Sequence, residues 1–355
     1  MEIRPVTSGM VHSPSVPRPA FLITIDTEGD NLWAHPCNIT TENAKHLVRF
    51  QSLCESYGFK PTYLTNYEMA VCPVYREFAL DVIHRGAAEI GMHLHAWNSP
   101  PLIPLTADDY RFQPYLTEYP EPVMREKIHV MTRMLEEQFQ ISPASHRSGR
   151  WAFNEVYARL LSEAQYKVDC SVAPKTSYKG CLGDPNGTGG PDYTQFPDSP
   201  YFLNLDNIGV PGDSQLLELP VTIMDFRPAW ARGISRRSLL GRVVNRLSPA
   251  AARLRPDGKN LGAMLRIVRQ AIKERRSYVE FMLHSSELMA GGSPSFPDAQ
   301  HIETLYQHLE EFFNEVRGSF TGATLTEFYR ALTEGGAGAS LPAACSVRSV
   351  ARERG

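Results

Sequence analysis

Between residues 19 and 334, short apolar, β-branched runs alternate with longer stretches whose apolar residues recur at helical spacing. That alternation points to a mostly parallel sheet, because each parallel pair needs a crossover of about a dozen residues and a helix supplies it. The expected order starts with a strand over residues 20–26, opened by Pro19. A helix follows from its cap Thr41 to about Tyr57, then a strand over 61–65, a helix over 73–85 and a strand over 89–95. Helices over 122–139 and 154–165 precede a strand over 166–172. Strands over 216–221 and 279–284 flank a helix over about 261–276, and a helix over 298–316 with a short strand over 323–325 closes the series. A closed or nearly closed (β/α) barrel suits this length better than an open doubly wound sheet. No G-x-G-x-x-G follows the first strand and no G-x-x-x-x-G-K-[ST] occurs, so dinucleotide and P-loop sites lack their anchor.

Composition narrows the classes further. Of 355 residues, 42% are hydrophobic and 21% charged, which excludes wholesale disorder and fibrous repeats. A net charge of -3 argues against a nucleic-acid partner. No apolar run approaches the roughly 18 residues of a membrane span. Residues 1–18 are polar and proline-rich and are expected as a flexible leader without a secretory signal; 335–355 are expected as a disordered tail. Six cysteines without a C-x-x-C spacing suit reduced thiols, and the expected location is cytoplasmic.

Reactive residues collect at the carboxyl ends of the expected strands, the edge where parallel α/β folds form their sites. Asp26 and Glu28 lie two apart, hence on one face while extended geometry persists, as do His93 and His95. A carboxylate pair suits a metal ligand plus a base, or an acid/base pair. H-x-H on a strand is a compact site for zinc or another transition metal. Arg147 could fork onto a carboxylate or form a structural ion pair. Arg150 and Trp151 are candidates for the groove wall or for packing. In Tyr278–His284, alternation turns Val279, Phe281 and Leu283 toward the helices and Glu280, Met282 and His284 inward. A histidine at that mouth suits a general acid, with Asp169 as the candidate aspartate partner.

The order of these pieces resembles the polysaccharide deacetylase family, the NodB-homology carbohydrate esterases (carbohydrate esterase family 4-like), over about residues 19–332. The carrying motifs are Thr24-Ile25-Asp26-Thr27-Glu28, Glu89-Ile90-Gly91-Met92-His93, Arg147-Ser148-Gly149, Asp169 at a strand end, and Phe281-Met282-Leu283-His284. The resemblance implies a distorted (β/α) barrel of about seven strands and a metal-dependent hydrolase that deacylates an amino sugar. It makes Asp26 the general base and His284 the acid. Glu28 and His93 become ligands of a divalent metal, zinc first among them; Arg147 orients Asp26, and Asp169 tunes His284. The family's usual second metal histidine lies four residues after the first, where this chain has Trp97, so that role passes to His95, with Asp30 as a competitor of Glu28. The R-S-G-R-W variant makes Trp97, Arg150 and Trp151 candidate substrate contacts. The E-I-G-M-H-L-H-A-W and H-R-S-G-R-W runs resemble the WalW/WbmS-like branch associated with lipopolysaccharide and O-antigen gene clusters. Such a protein would act on an amino sugar or its carrier-linked form. The alternatives are a carbon–nitrogen hydrolase on a small non-sugar amide (allantoinase-like or a deformylase) and a catalytically inactive carbohydrate-binding homologue.

Two further segments bear on function. The Gly-, Pro- and Asp-rich insertion over 174–213 is expected to shape the groove or to decorate the surface. Residues 232–255 carry seven arginines and no acid, with leucines and valines at helical spacing. That pattern fits peripheral contact with an anionic membrane, a grip on a diphosphate, or a solvated helix with one packed face.

Overall fold

The computed structural model describes residues 18–227 and 251–334. The expected leader and tail, and the basic segment from 232 to 250, lie outside the described residues. In chain order the elements are β1 (Ala20–Thr27), α1 (Leu47–Ser56), β2 (Pro61–Thr65), α2 (Tyr67–Ala70), α3 (Pro73–His84), β3 (Glu89–Leu94), α4 (Asp109–Phe112), α5 (Glu121–Phe139), β4 (Ser145–Ser148) and α6 (Glu155–Glu163). There follow β5 (Val168–Asp169), β6 (Tyr201–Phe202), β7 (Leu217–Glu218), β8 (Ile223–Met224), β9 (Ala252–Arg253), α7 (Leu261–Lys273), β10 (Tyr278–His284), α8 (Ala299–Arg317), β11 (Thr321–Ala323) and α9 (Leu325–Glu334).

The main sheet runs β10-β1-β2-β3-β4-β5-β7-β6, with β11 pairing β1 off that path. All of its pairs are parallel except β6–β7, so seven parallel strands lie in sequence along the path. The sheet curls into the expected distorted (β/α) barrel. Its gap between β7 and β10 is spanned by hydrogen bonds from β10: the Tyr278 hydroxyl to Pro220 O, Glu280 N–H to Thr222 Oγ1, and Met282 N–H to Leu254 O.

Local sequence explains the longer elements. Asp298 caps α8 by accepting the His301 N–H at 3.0 Å, and Asn154 caps α6 through the Tyr157 N–H at 2.9 Å. The apolar stripe of α8 (Leu305, Leu309, Phe312, Phe313, Val316) is buried. Phe312 and Phe313 meet Phe21 of β1 and Phe281 of β10 with ring centroids 5.8–6.0 Å apart. Val279, Phe281 and Leu283 face this core, leaving Glu280 and His284 to the barrel interior.

Four expectations change. Residues 42–46 form a 3-10 turn before α1, and Thr41 makes no side-chain cap. The strands expected over 166–172 and 216–221 shrink to β5 and β7. Asp169 ends β5 itself, because its carboxylate accepts both the N–H and the hydroxyl of Ser171 at 2.9 Å. Arg147 precedes the expected helix α6 but lies within β4, a strand too polar for apolar periodicity to reveal.

Candidate metal centre and active site

Curling brings the carboxyl ends of β1, β3, β4 and β10 to one mouth, and register places the side chains. Asp26 pairs with His284 across β1–β10, and His93 with Arg147 across β3–β4. Residues in register in a sheet share a face, so each pair enters the interior together. Glu28 and His95 lie one residue beyond the ends of β1 and β3.

Glu28, His93 and His95 are the one group of three or more metal-capable side chains within reach of one another among the described residues. The Nε2 atoms of His93 and His95 lie 3.6 and 3.4 Å from Glu28 Oε2. Ligand atoms held ~2.1 Å from a tetrahedral zinc lie about 3.4 Å apart, so the donor set and its spacing fit such an ion. His93 Nδ1–H donates to Arg147 O at 2.9 Å, which directs Nε2 toward Glu28. His95 is buried under Trp97, whose indole stacks on it at 4.3 Å, and its Nδ1 has no partner. Burial, aided by His93, holds His95 well below the usual histidine range, in the neutral form a metal needs. Gly149 makes room for that ring: a Cβ there would sit 2.2 Å from His95 Cδ2.

Asp26 is anchored behind this triad. Its Oδ1 accepts Arg147 Nη1 at 2.6 Å, while Oδ2 lies 3.6 Å from His284 Nε2. Burial pushes the Asp26 carboxyl up, but Arg147, His93 and His284 together outweigh it and hold it well below the usual range. Arg147, wholly buried, also donates to Glu280, to Thr24 Oγ1 at 2.9 Å and to Cys170 O at 3.0 Å. Burial lifts Glu280 to about 7 despite Arg147.

His284 Nδ1 lies 3.2 Å from Glu287 Oε2, and the same oxygen accepts the His284 backbone N–H at 2.9 Å. Glu287 in turn accepts Arg255 Nη2 at 2.9 Å. Burial would raise Glu287, but Arg255 and His284 bring it down to about 2. Nε2 of His284 is thereby left facing Asp26, with Glu28 Oε1 at 3.9 Å.

Several expected pairings are not brought together. Asp169 does not meet His284; it sits in register with His146 and holds its Nδ1 at 2.6 Å, four strands from β1 along the sheet. Asp30 does not compete for the metal, because it accepts the N–H groups of Glu42 and Asn43 and the Thr40 hydroxyl. Arg253 and Arg255, the two of the seven arginines among the described residues, point inward, to Tyr178 OH at 3.1 Å and to Glu287.

Trp97, Arg150 and Trp151 all line the cavity over the triad. Arg150, however, donates to main-chain carbonyls of Phe112, Gln113 and Leu182. The insertion over 174–213 contributes Tyr178 and Cys181 to the lining. Sequence reasoning missed Glu287, Arg255, Glu68 and Ser285. Glu68 accepts Gly29 N–H at 3.1 Å and Asn98 Nδ2 at 2.9 Å, joining the two loops that carry Glu28 and His95. Ser285 Oγ bonds the N–H and the carbonyl of Glu28, each at 3.1 Å. Glu287 had a legible signal, since a Glu three residues past a strand end has capping-box spacing.

With this geometry in place, comparison with solved structures is informative. A candidate glycoside hydrolase/deacetylase from Parabacteroides distasonis is similar over 91% of this chain and 73% of its own, at 12% identity and a TM-score of 0.59. The two chains share the same barrel fold. A candidate polysaccharide deacetylase from Mycobacterium smegmatis matches over 91% and 93% of the two chains at 15% identity and a TM-score of 0.49. The Xyl-CE4 domain of a multidomain xylanase from the hindgut metagenome of Trinervitermes trinervoides matches over 90% and 92% at 11% and 0.41. No protein-family profile matches the chain, and no curated protein is similar to it in sequence. No helix among the described residues is long and apolar enough to cross a membrane.

Proposed function

We propose that this chain is a metal-dependent hydrolase that removes an acyl group, acetyl first, from the nitrogen of an amino sugar, in the assembly of bacterial surface polysaccharide. The observation that carries the reading is the Glu28–His93–His95 triad, with Asp26 on one side and His284 within 3.6 Å of it. Glu28, His93 and His95 would hold the ion, and a His₂Glu set suits zinc. A divalent metal there supplies Lewis acidity, polarising the acyl carbonyl and easing deprotonation of the attacking water. Asp26 stays ionised and takes that proton on Oδ2, since Arg147 occupies Oδ1. A carboxylate held below the usual range is a weak base, and an ion held by Glu28, His93 and His95 would offset that by acidifying the water. His284, oriented by Glu287, delivers the proton from Nε2 to the departing amine. Pathway and the WalW/WbmS-like placement rest on the motifs in the sequence.

Metal content of the purified protein, beside that of the double variant His93→Ala/His95→Ala, tests the centre. Near-stoichiometric zinc or a similar ion, lost in the variant, together with amine release from N-acetyl sugars that Asp26→Asn abolishes, is expected. No metal in either protein after divalent ions are supplied would replace this reading with a carbohydrate-binding barrel.

A further inference from the structure

Two loops wall one side of the cavity, residues 99–120 between β3 and α5 and residues 174–198 after β5, and they are fastened to each other. The Tyr115 hydroxyl donates to Cys181 O at 2.7 Å. The Glu118 carboxylate accepts the N–H of Tyr115 at 2.7 Å and that of Asp184 at 3.0 Å. The second loop approaches so closely that a Cβ on Gly183 or Gly187 would fall 2.3 or 2.4 Å from the Glu118 oxygens. Arg150, at the end of β4, ties this double wall to the barrel. Its guanidinium lies 4.2 Å from the Tyr115 ring centroid and donates to carbonyls of both loops, Phe112 and Gln113 on one and Leu182 on the other. Arg150 and Trp151 both hold left-handed backbone, φ 54° and 66°, a conformation non-glycine residues keep only where their surroundings enforce it.

The positive charge of Arg150 is therefore absorbed by the wall. The cavity beneath measures about 320 Å³, at the small end of the roughly 300–1,000 Å³ that pockets for single small molecules span. Facing the wall stands Trp33, 37% exposed and edge-on to the His284 imidazole at 5.0 Å. Its exposed indole offers an apolar face for one sugar ring beside the acid. An internal residue of a polymer needs a groove that runs on past it in both directions, and the fastened loops line one side of this cavity through Gln113, Tyr115, Tyr178 and Cys181.

Resting on the proposed function, we propose that the site accepts one N-acylated amino-sugar residue, free or at the end of a glycan, and that the Arg150-held wall excludes the internal residues of a polymer. The test uses the full chain reconstituted with zinc. Its probes are N-acetylglucosamine, N-acetylgalactosamine, N-acetylmannosamine and fully N-acetylated chitohexaose. Acetate release gives the rates, and mass spectrometry of the hexamer locates each free amine. Amines on the monosaccharides or on a terminal residue of the hexamer are expected. Amines on internal residues, formed as fast as or faster than terminal ones, would overturn this inference while leaving the deacylase reading intact. Acetate from none of the probes would overturn that reading and this one with it. Arg150→Met, and Glu118→Gln as a change that leaves the strained backbone alone, should raise the internal-to-terminal ratio by roughly tenfold or more, the scale at which pocket contacts discriminate. An unchanged ratio in both folded variants would refute the wall's role.

Discussion

Arg147 has no solvent exposure, and its guanidinium serves Asp26 (2.6 Å), Glu280, Thr24 (2.9 Å) and Cys170 O (3.0 Å) at once. Replacing it by Met keeps much of the volume but leaves two buried carboxylates without their cation. Removing one partner of a buried ion pair costs about 3–5 kcal/mol, a large share of the ~5–15 kcal/mol that holds a domain together. The loss should depend on pH with a definite sign. Glu280 already sits at about 7 in the folded protein, raised by burial against the pull of Arg147. A carboxyl raised on folding contributes stability that is present below its unfolded value, ~4.3, and lost as the pH rises through the folded value. Without Arg147 that folded value climbs further, so the penalty for ionising Glu280 grows above neutrality. The deficit of Arg147→Met is therefore expected to be about 3 kcal/mol at pH 5 and about 1.4 kcal/mol larger at pH 8, the most that one carboxyl adds over the single unit above its parent value of about 7. Urea unfolding followed by circular dichroism, in chelator so that metal loss does not enter, measures both. Arg147→Lys should recover less than half, because one ammonium cannot fork to several acceptors. A deficit below about 1 kcal/mol, or one that grows toward acid, would refute the account of Arg147 as the charge that balances this interior.

Two other changes probe the supports of the site. Glu68→Gln keeps the shape but swaps one acceptor of the Gly29 and Asn98 groups for a donor, and should weaken metal affinity by about 10–100-fold in a chelator competition, as outer partners of metal ligands do; unchanged affinity with only a lower melting temperature would make Glu68 merely structural. Glu287→Gln removes the carboxylate that aims His284 and should lower kcat by about 10²-fold with metal stoichiometry retained, so a kcat within about threefold of the parent would count against it. In the parent, the Glu287 contribution, set by a value of about 2, is lost as the pH falls from ~4.3 toward that value, a loss Glu287→Gln should not show in acid unfolding.

Much of the architecture was legible because it is local. Apolar runs of five to eight residues carry their meaning within one strand, whereas the one cap expected, Thr41, makes no side-chain bond. Two-residue spacing sufficed to place Asp26 with Glu28, and His93 with His95, since strand geometry alone puts them on one face. The short, polar β4 escaped and β5 came out shorter than expected, because their pairing is dictated by neighbouring strands rather than by their own pattern.

Partner choice was not legible. His284 was expected to pair with Asp169, but register with neighbouring strands gave Asp169 to His146 while the turn after β10 delivered Glu287. Arg255, read with its neighbours as a basic surface, turns inward to the buried Glu287 carboxylate. By itself the sequence determined which strands and helices form and which side chains reach the mouth of the barrel. The tertiary structure decided which of them touch, how far the pocket is walled, and which charges compensate one another. These are outcomes of sheet curl and of loops meeting across 60 or more residues, and no spacing along the chain encodes them.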